Sequence, residues 1–145
     1  MDCNVELLEH LYKDSSMGTQ TLTDLLNVLN DKDNKIKDVI EDQLKGYERY
    51  KKEASKYLKK YKKEGKENNM FAKMGAMMGV KMEMLKDNSD SRVADMLIKG
   101  FTMGIIEAEK KIKNYKDKVD SKNLDLMKEF LKFHEDNVEA LKKFL

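Results

Sequence analysis

Residues 96–107 read MLIKGFTMGIIE, and this stretch has the apolar spacing of the middle of a long helix. It nevertheless contains two glycines, Gly100 and Gly104. Each glycine costs a helix interior about 1 kcal/mol relative to alanine. Glu107 follows one turn after Gly104, on the same side of the predicted helix. We therefore expect this side to meet either a closely packed neighbour or free space.

With 145 residues, the chain is expected to form one domain, residues 1–145. Its composition is that of a helical protein, because proline is absent and 39% of residues are charged. Lys and Arg total 29 against 27 for Asp and Glu, which is not the charge balance of a nucleic-acid-binding protein. The single cysteine, Cys3, cannot form an internal disulfide and fits a reducing compartment. We find no signal-peptide pattern and no apolar run that could span a membrane. The expectation is a cytoplasmic protein without nucleic-acid or membrane partners.

Apolar residues at helical spacing predict four long amphipathic helices. Their approximate bounds are Asn4–Leu29, Lys35–Glu64, Arg92–Lys116 and Lys122 to the end of the chain. The turns between the first two helices and between the last two are short and polar. Short turns join antiparallel neighbours, so the chain is predicted to form two helical hairpins.

The connection between the hairpins contains a shorter predicted helix at residues 70–85, which is rich in methionine. We favour a crossover that makes the second and third long helices parallel, and a fifth bundle helix is the alternative. The fold prediction is therefore an all-α four-helix bundle of two antiparallel hairpins with a short Met-rich crossover helix. Methionine packs adaptably, so we predict a homodimer through Met70, Met74, Met77 and Met78, whereas Cu(I) binding is the alternative role for the thioethers.

Two helical hairpins joined by a long crossover resemble the ferritin-like superfamily. The stretch Met96–Ile106 also resembles the third helix of an uncharacterised bundle family, with the pattern MLI-x-G-x-TMGII. The ferritin-like resemblance implies a di-metal site built from Glu and Glu-x-x-His ligands. Here the second helix has Gln43 and Tyr47 instead, and Leu131 stands three residues before His134. The di-metal chemistry is therefore not carried over.

Counting residues outward from the two turns predicts a mid-bundle layer that is polar and short of side-chain volume. Its predicted glycines are Gly18, Gly100 and Gly104, and its predicted ligand-binding side chains are Glu107, His134, Tyr47, Tyr50, Gln43, Ser15 and Thr19. The small residues fit either a void or close helix packing. No catalytic residue and no cofactor is predicted, because no phosphate loop, Cys/His metal spacing or Ser/His/Asp order is present.

Glu107 and His134 form the most specific pair in this layer. Burial would perturb the pKa values of both groups, so they fit a ligand-binding or proton-exchanging pair. The alternatives are a satisfied polar network and a metal site, although a single metal needs more ligands than two side chains supply. We expect a non-catalytic bundle that acts as a binding or protein-interaction module. The alternative is a degenerate ferritin-like metal-binding or oxidoreductase protein.

Overall fold

The computed structural model of the chain describes residues 2–61 and 87–145. These residues form four α-helices, namely α1 Cys3–Val28, α2 Lys37–Lys59, α3 Asp90–Tyr115 and α4 Ser121–Lys142. α1 packs chiefly against α2, and α3 packs chiefly against α4, which confirms the prediction of an all-α bundle of two hairpins. The predicted methionine-rich helix and its residues Met70, Met74, Met77 and Met78 lie outside the described residues.

Side-chain caps fix where two of the helices begin. The Asp2 carboxylate accepts a hydrogen bond of 2.8 Å from the backbone N–H of Asn4, at the start of α1. The Ser89 hydroxyl accepts one of 3.4 Å from the N–H of Arg92, at the start of α3. α2 ends at Lys59, earlier than predicted, and the next backbone bonds are i to i−3, from Lys60 to Tyr57 and from Tyr61 to Leu58. These tighter bonds close the last turn of α2.

α2 has no cap from its own sequence, and Asp90 of α3 supplies one. The Asp90 carboxylate accepts hydrogen bonds from the N–H groups of Lys35 at 3.1 Å and Ile36 at 3.4 Å. It also accepts one of 2.9 Å from the side-chain amide of Asn34. α2 and α3 therefore begin at the same end of the bundle and run parallel.

A second polar cluster closes the opposite end. The side-chain oxygen of Asn4, in α1, accepts bonds of 2.7 Å from the N–H of Asp120 and 2.9 Å from the amide of Asn123. The same Asn123 amide donates to the Tyr61 hydroxyl at 3.0 Å. Residue 61 and residue 87 consequently stand at opposite ends of the bundle.

The core lies along the centre of the bundle and is built from all four described helices. Its most deeply buried large side chains include Leu8, Leu11, Leu25, Ile40, Leu58, Phe130 and Met127. The middle of α1 has no leucine, as predicted, and buries Ser15 and Ser16 instead. Within residues 2–61 and 87–145, no helix combines the length and the apolar character that crossing a bilayer requires.

Candidate functional site

His134 lies at the centre of the mid-bundle layer and is buried, with 3% of its surface exposed. Its Nδ1 is 2.8 Å from the carbonyl oxygen of Phe130, one turn earlier in α4. A carbonyl only accepts hydrogen bonds, so Nδ1 carries the proton and donates. Nε2 then accepts from the hydroxyl of Tyr47, in α2, at 3.1 Å. Both ring nitrogens of a neutral imidazole are therefore satisfied inside the bundle.

Aromatic rings enclose the imidazole. The centroids of Phe130, Phe101, Phe133 and Tyr47 lie 4.4, 5.5, 5.5 and 5.6 Å from that of His134, all at steep interplanar angles. Such edge-to-face contacts are favourable for aromatic pairs. This burial lowers the pKa of His134, because the charged imidazolium would lose its hydration. Burial likewise raises the pKa of the Tyr47 hydroxyl, so both groups stay neutral at pH 7.

Glycines make room for this aromatic cluster. A Cβ atom at Gly104 would lie 2.6 Å from Cδ2 and 2.8 Å from Nε2 of His134, closer than real Cβ atoms approach. A Cβ at Gly18 would collide with the ring of Tyr47, and one at Gly46 with the ring of Phe133. At Gly18 and Gly104 the small residues serve close packing, which was one of the two predicted alternatives, whereas the close contact at Gly46 was not predicted.

Gly100 behaves differently from Gly104. A Cβ at Gly100 would meet nothing within 4 Å, and the residue is exposed. Its predicted place in the mid-bundle layer is wrong, because the buried line of α3 runs through Leu97, Phe101 and Ala108. A helix turns about 100° per residue, so Gly100 lies to the solvent side of this line.

Glu107 also faces solvent, and its predicted pairing with His134 is wrong. Its side chain is 55% exposed and lies 3.8 Å from the ammonium of Lys110 in the same helix. The reason is again helical geometry, since Ala108, and not Glu107, continues the buried line one turn beyond Gly104. Gly104 and His134 do lie at one level, as the residue counting predicted.

The other predicted site residues are buried or half-buried, but their polar atoms point to separate places. The Tyr50 hydroxyl donates to the carbonyl of Glu129 at 3.3 Å, and the Gln43 amide donates to that of Asn137 at 3.4 Å. The hydroxyls of Ser15 and Thr19 return to carbonyls of α1 four residues earlier, at 2.7 and 2.9 Å. Of the seven predicted side chains, Tyr47 and His134 are joined by a hydrogen bond.

The carboxylate whose charge acts on both His134 and Tyr47 is Asp14, which was not predicted from the sequence. Asp14 of α1 pairs with Lys111 of α3 at 3.2 Å, and their side chains are 34% and 15% exposed. The Asp14 charge acts to raise the pKa of His134 and of Tyr47, in each case less than burial changes it. Lys111 was a usable signal, because a lysine on the predicted inward line of the third helix needs an opposite charge nearby.

Buried polar atoms without partners mark a second location in the bundle. Among the described residues, Gln43 Oε1, Asn137 Nδ2 and Ser16 Oγ find no hydrogen-bond partner in the protein. Gln43 and Asn137 lie together, because the Gln43 amide nitrogen contacts the Asn137 carbonyl. One of the two free atoms is an acceptor and the other a donor. Asn137 was not predicted, although it lies one turn after His134.

No family model, curated protein or solved structure matches this chain. Function is therefore inferred from the geometry and chemistry of the site itself. In the part of the chain that the structure describes, no group of three or more His, Cys, Asp or Glu side chains lies close enough to hold a metal ion. The arrangement around His134 is a neutral, fully bonded polar pair inside an aromatic core.

Proposed function

We propose that this protein is a non-catalytic helical bundle that acts as a binding or protein-interaction module. The bonding of His134 supports this proposal. A general base or a metal ligand needs a ring nitrogen that can reach a substrate or an ion. Both nitrogens of His134 are instead bonded to Phe130 and Tyr47, and aromatic rings enclose them. His134 therefore has a structural role in the core. We assign the proposed binding to the outer surface of the helices.

The surface offers apolar side chains for such binding. Met103 and Ile106, one turn apart in α3, are 67% and 47% exposed. Exposed apolar side chains scattered singly are ordinary, whereas neighbouring ones on one helix face suit a partner. The predicted association through Met70, Met74, Met77 and Met78 concerns residues outside the described part and stays a prediction. The reducing compartment that Cys3 fits makes the cytoplasm the proposed location.

Native mass spectrometry combined with metal analysis of the purified chain tests this proposal. We expect masses of the chain and its multiples only, without a stoichiometric small molecule or metal. A stoichiometric ligand that is lost in Tyr47→Phe or His134→Ala would contradict the proposal, because it would place binding in the mid-bundle layer. Glu107→Gln is the matched control, since Glu107 is exposed and should affect no such ligand.

A small polar site beside Gln43 and Asn137 is the second candidate. It is favoured by the unpartnered Gln43 Oε1 and Asn137 Nδ2, both on buried residues. A small molecule or water that offers one donor and one acceptor would satisfy both atoms. Gln43→Met separates the possibilities by urea unfolding, with the exposed Gln20→Met as control. Gln43→Met also removes the bond from the Gln43 amide to the Asn137 carbonyl, so the stability should change little if Oε1 is unpaired. Removing a ligand contact as well should destabilise the bundle by about 1 to 3 kcal/mol relative to the control.

A degenerate ferritin-like protein is the remaining alternative, and the parallel course of α2 and α3 favours it. Ferritin-like bundles join two hairpins by one long crossover connection. We propose this topology for the whole chain, with the crossover helix at residues 70–85. The same metal analysis tests the chemistry, because stoichiometric iron, manganese or zinc would favour the metal-binding alternative over the interaction module.

A further inference from the structure

The outward side of α3 carries an apolar centre between charged turns. We call it the outer α3 face and define it by Asp95, Lys99, Gly100, Met103, Ile106, Glu107 and Lys110. Met103 lies at its middle and is 67% exposed, and Ile106 follows one turn later. In the described part of the chain, Leu145 at the C-terminus is the other strongly exposed large apolar side chain.

Gly100 opens a gap in this face. Glycine disfavours a helix interior by about 1 kcal/mol relative to alanine. At Gly104 the contact with His134 explains the choice, but at Gly100 a Cβ would meet nothing within 4 Å. The packing of the monomer therefore gives no reason for glycine here. A missing side chain on an exposed helix face lets the backbone of a partner approach closely.

The charges of the face alternate in a way that suits a second copy of it. Along α3 the order is Asp95, Lys99, the apolar Met103, Glu107 and Lys110. Lys99 and Glu107 each stand four residues from Met103, or about 6 Å along the axis. Among the described residues these charges form exposed pairs within one chain, Arg92 and Lys99 with Asp95 and Lys110 with Glu107, and such pairs contribute little to stability.

The order of signs distinguishes two ways of pairing the helices. If two α3 helices run antiparallel about Met103, Lys99 comes level with the partner's Glu107, and Asp95 comes within one residue of the level of the partner's Lys110. If they run parallel, every charge comes level with its own copy, and like charges repel. In the antiparallel arrangement, Gly100 comes level with the apolar side chain of the partner's Ile106.

We propose that a second copy of this chain docks on the outer α3 face, with the two α3 helices antiparallel about a two-fold axis near Met103. The contact is isologous, because both copies use the same face. When one residue of the first copy contacts a second residue of its partner, the reverse contact is also made. This inference rests on the proposed function as an interaction module and names the partner. It uses a surface different from the methionine-rich residues 70–78.

Sedimentation equilibrium of the full chain tests the contact with Met103→Lys. This change places two like charges next to the two-fold axis, and we expect it to raise the dimer dissociation constant by about tenfold or more. Leu145→Lys is the matched control, because it makes the same kind of change at an exposed apolar residue outside the face. It should leave the dissociation constant unchanged. Met103 is exposed, so the urea midpoint of the monomer should stay that of the parent.

A charge exchange tests the orientation. Lys99→Glu and Glu107→Lys should each weaken the dimer, because each brings like charges together across the contact. The double variant Lys99→Glu/Glu107→Lys restores opposite charges in the antiparallel dimer and should recover most of the lost affinity. Recovery supports the proposed arrangement, and a double variant as weak as the single variants contradicts it.

Two further results would overturn the proposal. One is a chain that remains monomeric at millimolar concentration. The other is a dimer that forms equally well in Met103→Lys, since association would then use another surface. Neither result bears on a ligand inside the bundle, which native mass spectrometry detects separately. Failure of this contact and failure of the proposed function therefore remain distinguishable.

Discussion

The two glycines of α3 allow a matched experiment on the mid-bundle layer, because they lie in one helix and differ in their surroundings. Gly100→Ala adds a methyl group that meets nothing, so it should stabilise the bundle by about 1 kcal/mol through helix propensity alone. Gly104→Ala has the same propensity gain. It also places a Cβ atom 2.6 Å from Cδ2 and 2.8 Å from Nε2 of His134.

The His134 ring cannot move away freely, because it is bonded to Tyr47 and Phe130 and enclosed by aromatic rings. Overpacking of this kind costs about 1 to 3 kcal/mol. A weakened hydrogen bond to the buried ring adds about 1 kcal/mol. After the propensity gain is subtracted, Gly104→Ala should destabilise the bundle by about 1 to 3 kcal/mol. The two alanine variants should thus differ by about 2 to 4 kcal/mol.

Urea unfolding followed by far-ultraviolet circular dichroism measures this difference. The protein concentration should be lower than the concentration at which a dimer forms, so that Gly100→Ala reports on the stability of the monomer alone. Equal shifts of the unfolding midpoint in the two variants would refute the argument, because they would mean that Gly104 does not press on His134. A larger loss in Gly100→Ala would place the close contact on the wrong side of α3.

Three further predictions concern the Tyr47–His134 pair, the charge state of His134 and the cap of α2. Tyr47→Phe should lower the free energy of unfolding in urea by about 1 to 3 kcal/mol, because Nε2 of His134 becomes a buried acceptor without a donor. An unchanged unfolding midpoint would mean that the hydrogen bond does not contribute to stability. The free energy of unfolding should fall as the pH drops below about 6.5, since burial lowers the folded pKa of His134 and the unfolded chain then binds the proton more readily. Titration of His134→Gln should show a shallower fall, to which His10, whose pKa burial also lowers, still contributes. Asp90→Ala should cost about 1 to 2 kcal/mol, because it removes the cap of α2, and amide exchange at Lys35 and Ile36 should quicken while the middle of α2 stays protected.

The spacing of apolar residues predicted the fold class, because amphipathic periodicity reports directly on which face of a helix is buried. The short turns between consecutive helices predicted the hairpins for a similar reason. Residue counting also placed Gly104 level with His134, since residues equidistant from a tight turn lie side by side. The end of α2 was harder to predict, because its last turn tightens where Tyr61 meets Asn123, which is distant in sequence.

The mid-bundle layer was predicted less well, because adjacent rows of side chains along a helix surface are separated by only a small rotation about the helix axis. Gly104 and Glu107 lie one turn apart, and helical spacing therefore predicts that both face inward. Packing of Phe101 and Ala108 sets the actual rotation of α3 and turns Glu107 to solvent. The same packing turns Lys111 towards Asp14. The rotation of α3 about its own axis depends on the helices it packs against, so helix propensity and residue spacing alone do not predict it.

The division of the bundle into two hairpins has a consequence for how the chain folds. Within each hairpin, contacts join helices that are consecutive in sequence, so the loops that must close are short and their entropy cost is small. The Tyr47–His134 bond joins residues 87 positions apart and requires both hairpins. We expect the hairpins to form early and the aromatic layer to dock late. Tyr47→Phe should then act chiefly by speeding unfolding and should leave the folding rate nearly unchanged, whereas Gly104→Leu, which disturbs a contact within the second hairpin, should also slow folding.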